Sequence, residues 1–307
     1  MMQEHIAIPA CFSSGEKAAA AAAAATDDPA SITRSGQNVF MSVYRTTIAD
    51  RRRFITVTWC KNLLLHGLSV SVDGDHHHHT SSACKVELKP WYFWKKQGSK
   101  RFLIDGDKPV DVFWDLKIAR FNGETEPTSD YYVAVVCGGE VVLLGNLKKE
   151  AYRKTGCRPA LVDPTLISRR EHIFGKKKFI TRVKFHDKGS FHEISIECKN
   201  KSTGPNSPVE PEMEIRIDGH LAVHVKHLQW KFRGNESIHL NKARIDVYWD
   251  VHDWLFSPGL RHALFIFKPT LLPALSTSSP PSPPPGSSGG SAEGPDFCLF
   301  LYAWRVE

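Results

Sequence analysis

Between residues 38 and 275 most of the chain consists of short runs in which apolar and polar side chains alternate, broken by turn residues at frequent intervals. Alternation with period two sends neighbouring side chains to opposite faces of a strand, so such runs predict antiparallel sheets with one face buried. In Met213 to Ile217 the apolar side chains share one face, with Glu214 and Arg216 on the other. Asp218-Gly219 then offers two residues able to adopt positive φ, as a tight hairpin requires, and Leu221, Val223 and Val225 continue the buried face. Phe54 to Thr58, Leu68 to Val72 and Cys84 to Lys89 alternate in the same way. One helix is predicted from about Leu147 to Thr155, with Asn146 as its cap and Gly156 as its stop.

The pattern repeats. Phe54 to Trp59 followed by Cys60-Lys61-Asn62 matches Phe191 to Glu197 followed by Cys198-Lys199-Asn200. Val72-Asp73-Gly74 matches Ile217-Asp218-Gly219, and Trp94 to Gly98 matches Trp230 to Gly234. Asp111-Val112-Phe113-Trp114-Asp115 matches Asp246-Val247-Tyr248-Trp249-Asp250 most closely. Trp94 and Trp114 are 20 positions apart, Trp230 and Trp249 are 19 apart, and all four landmarks keep their order. A tandem duplication is expected, copy one over about 39–145 and copy two over about 178–269. The fold class expected is all-β, an antiparallel β-sandwich or barrel-like unit built from two related copies, with one short helix. The short connection near Pro159 to Arg170 favours one continuous unit.

Two segments stand apart. Residues 1–37 carry the alanine run Ala18 to Ala25 with no second apolar face, and are expected to be a disordered leader. Residues 276–294 are almost entirely Ser, Pro and Gly, which predicts a solvated loop. Phe297 to Trp304 is too apolar to be left in water and reads as a last strand returned to the core, so the duplicated domain is expected to span 38–275 and 295–307.

Composition narrows the chemistry. Forty Lys and Arg against 33 Asp and Glu give a charge of +7 spread along the chain, which permits a polyanionic partner without requiring one. Seven cysteines, none in C-x-x-C spacing, read as reduced core residues, not as a zinc site or a disulfide framework. With neither a signal segment nor a membrane-length apolar stretch, the expected location is intracellular, in cytoplasm or nucleus. No cofactor is expected.

The candidate ligand-binding residues are Asp111, Phe113, Asp115, Asp246, Tyr248, Asp250, Trp91 and Trp94. In a strand, Asp111 and Asp115 emerge on one face with Phe113 between them. Paired acids beside an aromatic fit a sugar or cation site or an acid and base pair, and equally fit ion pairs with Lys or Arg of a neighbouring strand, the reading favoured here. Trp91-Tyr92-Phe93-Trp94 must turn two rings outward, as a stacking platform or as packing between halves. His76 to His79 form a polar loop with adventitious metal affinity, and no metal site is expected. The clusters Arg51-Arg52-Arg53, Lys148-Lys149 and Lys176-Lys177-Lys178 read as solvated strand and helix margins. Kinase, phosphate-loop, dinucleotide, G-x-S-x-G and H-E-x-x-H fingerprints are missing.

Val57 to Leu63, Cys84 to Trp91, Asp111 to Asp115 and Gly145 to Ala151 resemble the plant family known only as domain of unknown function 868. The resemblance extends from about Gln37 to Pro269 and includes the final strand. It implies a plant protein and brings no catalytic residues. The functional expectation is a non-catalytic β-sandwich that binds a protein or small ligand. The alternatives are a glycan-directed enzyme using the paired Asp residues and polyanion binding through Lys and Arg; neither nucleic acid nor a membrane is an expected partner.

Overall fold

The computed structural model describes residues 38–48, 51–61, 66–72, 83–88, 96–174, 178–185, 189–201, 210–240, 243–259, 261–271 and 297–304. The leader, the Ser/Pro/Gly segment, the His tract and both Trp91 and Trp94 lie outside them. The chain divides into two compact units, Met1–His172 and Ile173–Glu307.

In unit 1, β1 (Asn38–Ile48), β2 (Arg51–Lys61), β3 (His66–Val72) and β4 (Ala83–Leu88) follow one another as an antiparallel meander. Strands β5 (Gln97–Ile104), β6 (Lys108–Asp115), β7 (Tyr132–Cys137) and β8 (Glu140–Gly145) form a second meander. A strand that the sequence reading assigned to a connection, β10 (Thr165–Phe174), adds itself to the free edge of β1. The short β9 (Arg158–Pro159) pairs with β8 in parallel. Between the sheets lie Phe40, Ile55, Val57, Trp59, Leu68 and Val70 from the first, and Val110, Val112, Trp114, Val133, Val135 and Val142 from the second.

Helix α1 (Lys148–Thr155) covers the outer face of the second sheet, where Ala151 is buried among Tyr132, Ala134, Val136 and Val141. It ends as predicted, with Gly156 left-handed at φ 65° and its N–H donating to the Tyr152 carbonyl at 2.9 Å. Its start differs. Leu147 is the cap residue and makes no side-chain cap bond, because the Asn146 side chain is engaged elsewhere.

Unit 2 is laid out in the same order. β11 (Lys178–Val183), β12 (His192–Lys201), β13 (Glu210–Ile217) and β14 (His220–Val225) form one meander. Its tight turn has Asp218 and Gly219 at φ 50° and 80°, as the sequence predicts. β15 (Arg233–Leu240), β16 (Ala243–Asp250), β17 (His262–Leu271) and β18 (Cys298–Trp304) form the other, so the segment after the Ser/Pro/Gly stretch is a strand paired with β17. A second helix that the sequence reading did not anticipate, α2 (His252–Phe256), is a little over one turn long. The interior is apolar, with Phe179, Ile194, Ile196, Met213 and Ile215 facing Ile245, Val247, Phe265, Leu299 and Leu301. The protein is thus all-β with short helices, its sheets antiparallel but for β9, and no sheet closes into a barrel. Among the described residues no helix is long and apolar enough to cross a membrane.

Candidate functional site

The paired acids of the D-V-aromatic-W-D segments stand on outer sheet faces with partners already in place. Asp111 lies opposite Arg101 on β5 and accepts from its Nε at 2.7 Å and Nη2 at 2.8 Å. Asp115 ends its strand and accepts from the Lys117 backbone N–H at 3.0 Å. In unit 2, Asp250 accepts from the His252 N–H at 3.1 Å and from Arg233 Nε, across the strand pair, at 2.7 Å. Asp246 accepts from Ser237 Oγ at 2.5 Å and Arg244 Nε at 2.9 Å. Four residues of strand separate the two acids of each segment by about 13 Å at ~3.3 Å per residue. Glycosidic acid pairs work at roughly 5–9.5 Å, so neither segment has that geometry. Phe113 is partly buried against the cluster beneath α1, and Tyr248 lies across from Ile266 on β17.

What the segments do share is architectural. Trp114 lies opposite Gly98, and Trp249 opposite Gly234. A Cβ on either glycine would come within 2.7 Å and 2.3 Å of the respective indole Cζ2, so each ring lies flat across a position that only glycine leaves open. Just past each tryptophan, Leu116 N–H donates to the Lys96 carbonyl at 2.7 Å and Val251 N–H to the Phe232 carbonyl at 2.9 Å.

A different cluster, which sequence reasoning missed, lies inside unit 1. On β10, Arg169 and Glu171 face Ser42 and Phe40 of β1, so both point into the interior beside Trp59. Glu171 is 0% exposed and accepts from Arg169 Nε at 2.5 Å. Arg169 Nη1 donates to Glu126 at 2.7 Å, and the guanidinium lies 5.0 Å over the Phe40 ring. The side chains grade from sealed to open: 0% exposure for Glu171, 12% for Arg169 and 29% for Glu126. Burial opposes the Arg169 charge, but the two carboxylates outweigh it and hold the guanidinium charged.

Glu126 comes from the loop between β6 and β7, residues 116–131. The Arg120 and Ser129 backbones bridge it, Thr128 Oγ1 donates to the Arg120 carbonyl at 2.9 Å, and Lys61 Nζ from β2 donates to the Gly123 carbonyl at 2.5 Å. The loop also delivers aromatic rings. Trp59 meets Phe121 and Tyr131 edge-to-face at 6.3 and 6.1 Å, and His66 stacks on Phe121 at 4.3 Å. Burial, then the Glu126 charge, push the Tyr131 hydroxyl up, so it remains a hydrogen-bond donor. Burial and nearby Lys61 lower His66, which keeps its imidazole neutral.

The Gly145-Asn146-Leu147 motif fixes Tyr131. Asn146 Oδ1 accepts from the Tyr131 N–H at 3.2 Å, and the Tyr131 carbonyl accepts from the N–H groups of Asn146 and Leu147 at 3.0 and 3.2 Å. Gly145 has φ 96°, and a Cβ there would lie 2.4 Å from that carbonyl oxygen. A motif that reads as a helix start therefore clamps a residue of the cluster.

At the other end of the same interior Arg53, 2% exposed, pairs with Asp105 in the β5–β6 turn, so one member of the Arg51 to Arg53 triplet is internal. Lys178 of a second basic cluster pairs with Glu197 at 3.9 Å. Among the described residues no group of three or more His, Cys, Asp or Glu is placed to hold a metal.

The model of a family described as plant protein of unknown function (DUF868) matches residues 35–305. Neither a curated protein nor a solved structure matches the chain.

Proposed function

The chain belongs to DUF868, a family of plant proteins of unknown function, and from that premise we propose that it is a non-catalytic binding module whose ligand engages the Arg169, Glu171 and Glu126 cluster of unit 1. The reading rests on one observation: a buried ion network stands among aromatic rings in one unit, while the described interior of the other has the same succession of strands with Thr181 as its one buried polar side chain. Desolvating charges costs several kcal/mol per ion, and well-packed apolar side chains of similar volume serve stability as well or better. The fold does not need the network, which points to recognition. Glu126, the most open member, receives a ring-bearing small molecule with hydrogen-bonding substituents, and Tyr131 and Trp59 line its approach. The acids of the outer sheet faces, held by Arg101, Arg233, Arg244 and backbone donors, act structurally in this reading.

The two units descend, in this proposal, from one duplicated eight-stranded pattern. The paired Gly98 with Trp114 and Gly234 with Trp249, and the matching bonds of Leu116 and Val251, support it. Among the described residues Cys84, Cys137, Cys157 and Cys198 join no disulfide, which fits a reducing compartment, cytoplasm or nucleus.

The test is ligand-observed NMR of the full chain with aryl glycosides, phenolic acids and aromatic amines. At least one class should show saturation transfer that falls severalfold in Glu126→Gln, a partly exposed position where the fold tolerates change. No transfer from any class, or transfer indifferent to Glu126→Gln, would end the proposal.

A further inference from the structure

The first strand of unit 2 is an edge with an unusual surface. Within its sheet β11 pairs only with β12, so among the described residues no further strand pairs with its other edge. Its buried face carries Phe179, Thr181 and Val183, and its exposed face carries Lys178, Ile180 and Arg182, continued by exposed Lys184. Ile180 is 53% exposed. Beside it Phe191, 56% exposed, holds Arg182 at 5.4 Å and Lys184 Nζ at 4.7 Å over its ring. The ring keeps the two cations near one another although like charges repel. Among the described residues neither has a carboxylate within ion-pair distance. The rest of this sheet contrasts sharply: Glu197, Glu212 and Glu214 are matched to Lys178, Lys199, Lys201, Arg216 and His224 across β12, β13 and β14.

We propose that the β11 edge docks an extended acidic peptide segment of a partner protein, which adds to the sheet as a further antiparallel or parallel strand. Backbone hydrogen bonds along the edge supply affinity. Carboxylates of the peptide meet Arg182 and Lys184, and an apolar side chain between them covers Ile180. The same charges that attract an acidic strand repel a second copy of this edge, so the surface is protected against self-association while open to a strand of opposite sign. A nucleic acid strand is less well served, because the face of the Phe191 ring beside this edge is occupied by Arg182 and Lys184 and the backbone groups of the edge have no matching partner in it.

The experiment uses the full chain and a fluorescein-labelled ten-residue peptide alternating glutamate and valine, with one central phenylalanine. Binding by fluorescence anisotropy should weaken as salt rises and fall at least tenfold in the double variant Arg182→Glu, Lys184→Glu. It should also fall at least tenfold when alternate peptide residues are N-methylated, which removes edge hydrogen bonds and keeps charge. Both substituted positions are exposed, and an unchanged melting temperature confirms that the variant is folded. Four results overturn the proposal: no binding at millimolar peptide, equal binding of the N-methylated peptide, no loss in the double variant, or tighter binding of a single-stranded oligonucleotide that the double variant abolishes.

Discussion

Unit 1 and unit 2 enclose their interiors with the same order of strands, yet among the described residues only the first buries charge. Beside the Arg53 and Asp105 pair, the Arg169 network arises from two elements outside the matched landmarks. β10 brings Arg169 and Glu171 to the edge of β1, and the 116–131 loop brings Glu126, Phe121 and Tyr131. In unit 2 the connection between β16 and β17 covers only residues 251–261 and folds into α2, whose His252 and Phe256 pack on Phe232. A shell and its contents are therefore separable. The tryptophan and glycine pairs belong to the shell; the ion network is cargo laid in unit 1.

Several measurements break or sharpen that comparison. The largest effects should be shared ones: Trp114→Ala and Trp249→Ala each remove a nearly buried ring, and each should destabilise its own unit by about 3–5 kcal/mol in chemical denaturation. Equal losses support one common shell; a loss confined to one unit breaks the equivalence. Glu171→Leu alone removes the sealed one of the two carboxylates that hold Arg169 and should cost unit 1 about 3 kcal/mol. Replacing Arg169, Glu171 and Glu126 together with Met, Leu and Leu should leave stability unchanged or raise it by about 1–4 kcal/mol, while ligand binding disappears. A triple variant that unfolds would return the network to the shell. Gly145→Ala forces a side chain against the Tyr131 carbonyl at a left-handed position and should cost about 1–3 kcal/mol, with a change in Trp59 fluorescence as Tyr131 shifts.

The pH response should be weaker and common to both units, since burial lowers His66 in one and His262 in the other. Each is neutral when folded, and the unfolded chain takes up protons near pH 6.5. The unfolded state binds more protons as pH falls, so the stabilisation is complete above about pH 6.5 and declines below it, toward the depressed folded value. A melting temperature that drops between about pH 7.5 and 5.5, and drops less in His66→Phe and His262→Phe, is expected. Smallest is Glu214→Gln on the outer face of unit 2, where exposed pairs with Lys199 and Arg216 should yield about 1 kcal/mol or less, fading with added salt.

The sequence made the shell readable because alternation leaves its mark wherever one face is wet and the other dry. Met213 to Val225 is such a stretch: its strands, its turn and the buried Met213, Ile215, Ile217, Val223 and Val225 appear as expected, whereas Leu221, expected on the buried face, is exposed beside the register irregularity opposite Arg216. The acids at Asp111, Asp115, Asp246 and Asp250 were also readable as surface groups, since neighbouring strands supply Arg101 and Arg233 and the strand of Asp246 itself supplies Arg244. β10 was not. Thr165 to Phe174 has polar residues on both faces and no alternation, because Glu171 and Arg169 are buried through each other and through Glu126, a partner 43 residues away. Nothing local marks a charge that is buried by a distant charge. The Asn146 side chain misled for a similar reason: its local role as a helix cap yields to the Tyr131 N–H, fifteen residues back in the chain.

The pairing of Val39 with His172 carries a consequence for how the molecule comes into being. Each of the first eight strands of unit 1 docks on the strand just before or after it, a local step that closes quickly, whereas β10 must return across the whole unit to find β1. On a ribosome the hairpins can zip as they emerge, and the charged pocket is assembled last, after residue 174 has left the exit tunnel. A nascent chain arrested short of that point would hold two greasy meanders with a raw edge at β1 that β10 has yet to cover, the stage at which this protein would most need a chaperone.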